Sequence, residues 1–436
     1  MDFPVWLVDH VTAPMLIPAV AIPHVIVAMF AVGGGILLAD LVARARRDGR
    51  EEALRLLRRQ TRAFMLLSLV FGAVTGVGIW WTIGVASPET TRDLIRIFVF
   101  GWAAEWVVFV VEIVSLMAFY HLWDRVTPRE HAILGWIYAG AAWLSLVLIT
   151  GITAFMLTSG AWAPGAGFFT AFFNPSFVPQ TLLRTGAALV LGALGLGLML
   201  SLQRGAEGDR ERMIRRLSLG GLAGMALLWV GAAAYFWTLP DPARLNLIRA
   251  PILNAMMAAA LASGFVVLAA LAGGFLTGLR WLNPPLALLV LLAAAVGVTA
   301  GEFLREAARK PYRIERQVFS PGFRVAGADA IRARGLAAAS PWLRAGMAAG
   351  GSSAEDGARL RLGEAVFSHH CAACHAHVGY NGIVPIVRTW TPELIGETIR
   401  NLSRANPAMP PWVGNEEERD ALVAYLSRFA QGRVAE

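Results

Sequence analysis

Cysteine is nearly absent from this sequence: there are two in 436 residues, both within the stretch "HHCAACHAH". With both in one motif, no disulfide framework is expected. Charge is sparse too, at 16% of residues against 56% hydrophobic, and mean hydropathy is +0.56. Those values exclude an ordinary soluble chain. The basic residues are nearly all arginines, clustered in short loops between apolar runs. The net charge of +8 is therefore read as membrane topology, and nucleic acid is not an expected partner. The opening "MDFPVWLVDH" has neither the basic n-region nor the cleavage site of a signal peptide, so the first apolar segment is expected to stay in place. No internal repeat of about 20–50 residues is evident.

What the sequence has in quantity is apolar length. Runs near 14–42, 64–85, 96–122, 132–158, 180–202, 218–239, 251–278 and 285–308 predict eight membrane helices. Each holds about 20 residues or more, enough to cross a hydrocarbon core of roughly 30 Å. The first loop carries Arg44, Arg46, Arg47, Arg50, Arg55, Arg58, Arg59 and Arg62. The third carries Arg125 and Arg129, and the fifth Arg204, Arg210, Arg212, Arg215 and Arg216, whereas "SGAWAPGAGFFTAFFNPSFVPQ" has no basic residue. The positive-inside rule then places these loops in the cytoplasm and both the N-terminus and the C-terminal part outside. From 313 to 356 the chain turns to Ala, Gly, Ser and Arg ("RARGLAAAS", "AAGGSSAEDGA") and reads as a mobile or loosely packed linker.

The "CAACH" motif supplies what covalent attachment of a c-type haem needs. Cys371 and Cys374 would bond the vinyl edges, and His375 would take one axial position on the iron. Met409, in the proline-flanked "NPAMPPW", is the candidate for the other. "DGARLRLGEAVFSHH" precedes the hook as an amphipathic helix. "NEEERDALVAYLSRF" follows the loop with an Asn cap, an acidic first turn and a basic end. These features in this order resemble a class I cytochrome c over 357–436. His369, His370 and His377 beside the hook are expected to be solvated neighbours or partners of haem propionates. Attachment of c haem on the outer side of a bacterial inner membrane agrees with the arginine topology.

Ionisable side chains inside membrane helices are costly, so each is a candidate for function. His24 lies in the first helix, and Glu105 and Glu112 are two turns apart in the third and share a face. Glu302 and Glu306 lie near the end of the eighth, with Arg305 and Arg309 in position to pair with them. His10, His121 and His131 fall at helix ends, where solvation is expected. Met256 and Met257 read as apolar filler, and "VGGG" (Val32 to Gly35) as close helix or macrocycle packing.

Four local matches over roughly residues 1–312 resemble subunit I of the cytochrome bd oxygen-reductase superfamily. They are "PHVIVAMFAVGGG", "FGAVTGVGIWW", "EIVSLMAFYHLWDRV" and "GEFLREAARKPY". The resemblance implies that His24 and Glu306 ligate two high-spin haems, with Arg309 as a further haem contact. It also implies that Glu105 and Glu112 are the acidic residues at the oxygen site and on its proton path. The departures are specific. The family's glutamates are one residue further apart, and its Arg-Gln-Pro-Trp reads here Arg309-Lys310-Pro311-Tyr312. "SFVPQTLLRTGA" lacks the histidine expected for a low-spin haem, and the connection "LPDPARLNLIRA" is too short for a quinol-binding loop.

The expected fold is all-α: a polytopic bundle of about eight membrane helices over 1–312, the 313–356 linker, and a small α-helical cytochrome c domain over 357–436. The expected function is a bd-type terminal oxidase of the bacterial inner membrane, taking electrons through its own periplasmic c haem rather than from quinol. It would reduce oxygen to water at a high-spin di-haem site. One covalent haem c and about two non-covalent haems, b and/or d, are implied. Expected partners are a second membrane subunit, a periplasmic donor such as a cytochrome c, and membrane lipid. Alternatives are a transmembrane electron conduit between the quinone pool and periplasmic cytochrome c, a reductase of nitric oxide or peroxide, and a catalytically silent anchor.

Overall fold

Among the described residues, eight helices are long and apolar enough to cross a membrane: Met15–Arg47, Glu51–Ala86, Val99–His121, Pro128–Phe155, Phe177–Ser201, Glu207–Thr238, Pro251–Thr277 and Pro284–Ala308. They are called here the first to eighth spans. The computed structural model describes residues 10–278, 283–341, 343–344, 355–379 and 381–430.

The eight expected helices are all present, and their ends are set by local chemistry. The fourth span starts at Pro128 because Thr127 closes a capping box. Its N–H donates to the Glu130 carboxylate at 2.8 Å, and the Glu130 N–H donates back to its hydroxyl at 3.3 Å. The second span begins at Glu51, well before the expected 64, and passes through one π turn at Leu67–Phe71. The arginine-rich stretch thus becomes a helix rather than a loop. Ala53, Leu54, Leu56, Leu57, Thr61 and Phe64 are buried along one face, at the spacing an amphipathic helix requires.

The chain divides into two compact units. One comprises Ala21–Val77 and Ile97–Ala308, a helical bundle held together by close backbone approaches. A Cβ at Gly33 would fall 1.8 Å from the Ala188 carbonyl oxygen of the fifth span, and one at Gly186 2.5 Å from the Gly224 oxygen of the sixth. Small residues at such crossings let helix backbones touch where no hydrophobic force draws helices together. Gly34 and Gly35 likewise accept the rings of Phe64 and Tyr138, so "VGGG" serves helix packing. Where two spans end, His131 is fully buried, not solvated as its position at a helix end implied. Its Nε2–H donates to the Phe119 carbonyl at 2.8 Å, and Nδ1 accepts from Arg46 Nε at 3.1 Å.

The other unit comprises Met1–Val20, Gly78–Arg96 and Arg309–Glu436. Its core joins the C-terminal helices Glu355–Val366, Pro392–Arg400 and Glu416–Ala430 to residues upstream of them. The stretch read as a loose linker is ordered over its first half. Tyr312–Ile314 pairs antiparallel with Val318–Phe319, and short helices follow at Ala328–Arg334 and Leu336–Ala339. Phe319, Phe323 and Leu336 enter the same core as Val366, Phe367 and Leu422. The Glu418 carboxylate, 2% exposed, accepts from Leu336 N and Ala337 N at 2.8 and 2.7 Å. Alanine and glycine dominate the composition of this stretch, but its few aromatic residues anchor it. Residues 345–354 lie outside the described residues.

Candidate functional site

Cys371 to His375 form a tight turn, with Cys374 N and His375 N both donating to the Cys371 carbonyl at 2.9 and 2.8 Å. The turn brings two unbonded thiols and an imidazole together over five residues. His375 Nδ1–H donates to the Asn381 carbonyl at 3.1 Å. Asn381, with φ of +53°, also donates from Nδ2 to the Cys374 carbonyl at 2.6 Å. The imidazole tautomer is thereby fixed with Nε2 bare, as iron ligation needs. Met409 sits in the Asn406–Met409 turn, half-buried.

Burial pushes the Cys371 thiol up to about 12, which favours the neutral thiol over the thiolate. Among the described residues no three His, Cys, Asp or Glu side chains converge on a metal site. The donor set fits a thioether-linked haem with one His and one Met ligand.

The neighbouring histidines differ from one another. His377 Nε2 is bonded to the Tyr425 hydroxyl at 2.8 Å and its ring stacks on Phe367, so its role is structural. His370 is 4% exposed with neither ring nitrogen bonded. Phe323 stacks on it at 5.4 Å and Trp412 meets it edge-on at 5.5 Å. Burial pushes its pKa down to about 3, with His369 adding to the shift, so it stays neutral. Of the two roles expected, solvated neighbour or propionate partner, the structure contradicts the first: the ring is buried, stacked between the upstream hairpin and the Met409 loop.

In the bundle, contacts gather the candidate residues into three groups. His24 Nδ1 lies 3.0 Å from the Thr75 hydroxyl of the second span. Thr75 itself donates to the Phe71 carbonyl at 2.6 Å, so His24 donates to Thr75 from Nδ1 and keeps Nε2 as an acceptor. Gly76 makes room for this, since a Cβ there would stand 3.2 Å from His24 Cε1.

The second group is Glu105, Glu112 and Ser145. The Ser145 hydroxyl donates to Glu105 Oε1 at 3.4 Å and is also within hydrogen-bonding reach of Glu112. Glu112 Oε1 is buried with no protein partner. The two-turn spacing therefore does put both carboxylates on one face, against the fourth span.

The third group is Glu302, Arg305, Glu306 and Arg184. Glu302 and Arg305 form an ion pair at 2.9 Å. Arg184, early in the fifth span, lies within electrostatic reach of both, and Glu306 acts on the same pair. Arg309 is buried at 7% exposure.

Sequence reasoning did not single out Thr75, Ser145, Asn381 or Arg184. The first three are ordinary polar residues that carry no signal without a partner. Arg184 did carry one, as a lone charge inside an apolar run.

The profile of the family Cytochrome bd terminal oxidase subunit I matches residues 15–239. That of Cytochrome C oxidase, cbb3-type, subunit III, matches residues 358–426. No curated protein matches the chain. Among solved structures, the bd oxidase from Geobacillus thermodenitrificans aligns over 69% of this chain and 87% of its own, with a TM-score of 0.60 at 17% identity. That likeness is one of fold.

Proposed function

Since the chain belongs to the cytochrome bd terminal oxidase subunit I family, we propose that it is an oxygen reductase that receives electrons through its own c-type haem rather than from quinol. The chain is an integral membrane oxidoreductase subunit of bd type that carries a cytochrome c domain, which implies haem cofactors.

The observation that carries the proposal is the His375–Asn381 hydrogen bond beside two free thiols, because it readies a c-haem site on the same chain as a bd-type bundle. The connection between the sixth and seventh spans supports it. Only the short helix Asp241–Arg249 joins them, which leaves little chain for a quinol-binding loop.

Bound haem supplies electron storage and the reduction of oxygen to water. The chain's own residues supply the rest. His375 and Met409 hold the c haem, with His375 oriented through Asn381. His24, oriented by Thr75, presents Nε2 as one ligand in the bundle, and Glu306, with Arg309 nearby in sequence, presents the other. Glu112 holds a proton at its unbonded Oε1, and Ser145 lies between it and Glu105, so a proton can pass between the two carboxylates along one face of the third span. Arg305 and Arg184 balance Glu302 and Glu306. About two non-covalent haems, of b or d type, complete the set.

The arginine distribution supports placement of the cytochrome and the N-terminus on the periplasmic side of a bacterial inner membrane. A second membrane subunit, as is usual in this family, and a periplasmic electron donor complete the system.

The test is a carbon monoxide difference spectrum of the dithionite-reduced protein. A high-spin signal separate from the c haem is expected, with oxygen uptake supported by a reduced c-type donor. If no membrane haem binds carbon monoxide, the reading fails.

A further inference from the structure

The segment joining the last span to the cytochrome has two working faces. One is built into the cytochrome: Phe323 stacks on His370, the residue before Cys371, and Glu418 of the final helix caps Leu336–Ala339. The other face meets the short helix Pro88–Ile97, which follows the second span. Arg324 Nη2 and Nε donate to Asp93 Oδ1 and Oδ2 at 2.5 and 3.2 Å, the two-pronged geometry that makes arginine–carboxylate bonds strong and directional. Asp93 keeps only 12% of its side chain exposed. Its other cation, Arg92, stands 3.8 Å away and is itself paired with Glu89. Gly322, at φ of +96°, turns the hairpin so that its backbone lies over Glu89.

Arg324 is also bound to the hairpin, through a bridge with Val318 and through the Phe319–Phe323 turn beside it. A short path therefore runs from Asp93 through Arg324 and Phe323 to His370 and the haem hook. A second approach reinforces it: a Cβ on Gly379, within the loop that orients His375, would stand 2.9 Å from the His10 carbonyl.

We propose that the Asp93–Arg324 ion pair is a positioning latch that holds the cytochrome against the end of the second span, so that the c haem works from one station instead of swinging on a tether. For electron delivery the proposal rests on the function given above: one electron leaves the c haem and reduces a membrane haem, with no bond made or broken. The latch sets the fraction of molecules in which that transfer is possible.

Arg324 is the residue to change, because 54% of its side chain is exposed and its loss leaves the core intact. In the full-length protein, Arg324→Glu sets two carboxylates against each other, whereas Arg324→Lys keeps the charge. Two quantities are read: hydrogen exchange over 88–97 and 312–327, and the rate at which ascorbate-reduced c haem is oxidised when oxygen is admitted.

In Arg324→Glu, exchange in both segments is expected to rise and c-haem oxidation to slow by roughly tenfold. The c-haem potential and melting temperature should stay at their wild-type values, which a merely structural role would not allow. Arg324→Lys should recover most of the rate. Unchanged exchange in Arg324→Glu overturns the latch, whatever the rates. Raised exchange in Arg324→Glu, where even the wild-type protein does not oxidise its c haem with oxygen, supports the latch and removes only the electron-delivery reading.

Discussion

The imidazole of His24 is held by Thr75 at 3.0 Å through Nδ1, which leaves Nε2 as the ring's acceptor nitrogen. The Thr75 hydroxyl donates to the Phe71 carbonyl and so is set to accept from Nδ1, which fixes the ring. His24→Ala is therefore expected to remove one membrane haem while the c haem remains, as counted by pyridine haemochrome spectra. Thr75→Val should lower the affinity for that haem by about 10–100-fold, the usual cost of losing an outer partner of a ligand. Full haem content in His24→Ala would place the ligand elsewhere.

Met409→Ala is expected to leave the c haem covalently attached through Cys371 and Cys374, because attachment does not involve the distal loop. Methionine ligation raises a haem potential, so redox titration should show a shift to lower potential and electron entry should slow. A wild-type potential would assign the sixth position to another residue.

Glu112→Gln keeps the shape of the side chain and removes the ionisable group at a buried oxygen with no protein partner. Oxygen uptake should fall by at least about tenfold, within the range attributed to single proton-transferring groups, while reduction of the c haem by ascorbate proceeds at the wild-type rate. Ser145→Ala should give a smaller loss, since it interrupts the link between Glu105 and Glu112 but removes neither carboxylate. Equal loss in c-haem reduction would point to a folding defect instead.

Arg184 and Glu302 offer a double-mutant test. Arg184→Gln leaves Glu302 one cation short, and Glu302→Gln leaves two guanidinium groups close together inside the bundle. Each single change is expected to cost a few kcal/mol, as about 3 kcal/mol is typical when one partner of a buried charge group is lost. The double variant should lose less than the sum of the two. Thermal inactivation in detergent measures both, and strict additivity would show that the two charges do not act on each other.

The cytochrome's stability should depend on pH through His370. Burial lowers its folded-state pKa from 6.5 to about 3, so between those values the unfolded chain binds the proton and the folded one does not. Acidification from about pH 6.5 towards 3 must then favour unfolding, at up to about 1.4 kcal/mol per pH unit. His369, also lowered by burial, adds in the same direction. His370→Phe, which keeps the stack between Phe323 and Trp412, should flatten the dependence of melting temperature on pH. An unchanged slope would show that His370 does not cause it.

Much of this was legible in the residues. Eight apolar runs of sufficient length gave eight spans, because in hydrocarbon a helix is the only way a lone segment can satisfy its backbone. The "CAACH" spacing also announced its local geometry, a turn that brings two thiols and an imidazole together. The errors came where composition was read in place of pattern. An arginine-rich stretch after the first span looked like a loop, yet Leu54, Leu57, Thr61 and Phe64 mark one buried face of a helix. His131 looked solvated from its place at a helix end, but Phe119 and Arg46, 12 and 85 residues away, decide its surroundings, and no local window contains them. Arg184 was overlooked because attention fell on a histidine missing from the same helix.

The upstream hairpin also determines where this protein can be cut. A fragment beginning at 357 would keep the CAACH turn but lose Phe319, Phe323 and Leu336, stripping one wall from the hydrophobic core and depriving Glu418 of two of the backbone amides it accepts from. A fragment starting near Tyr312 would keep that wall and the strand pair with it. The strand pair Tyr312–Ile314 and Val318–Phe319 therefore belongs to the cytochrome's own fold as much as the helices around the hook do.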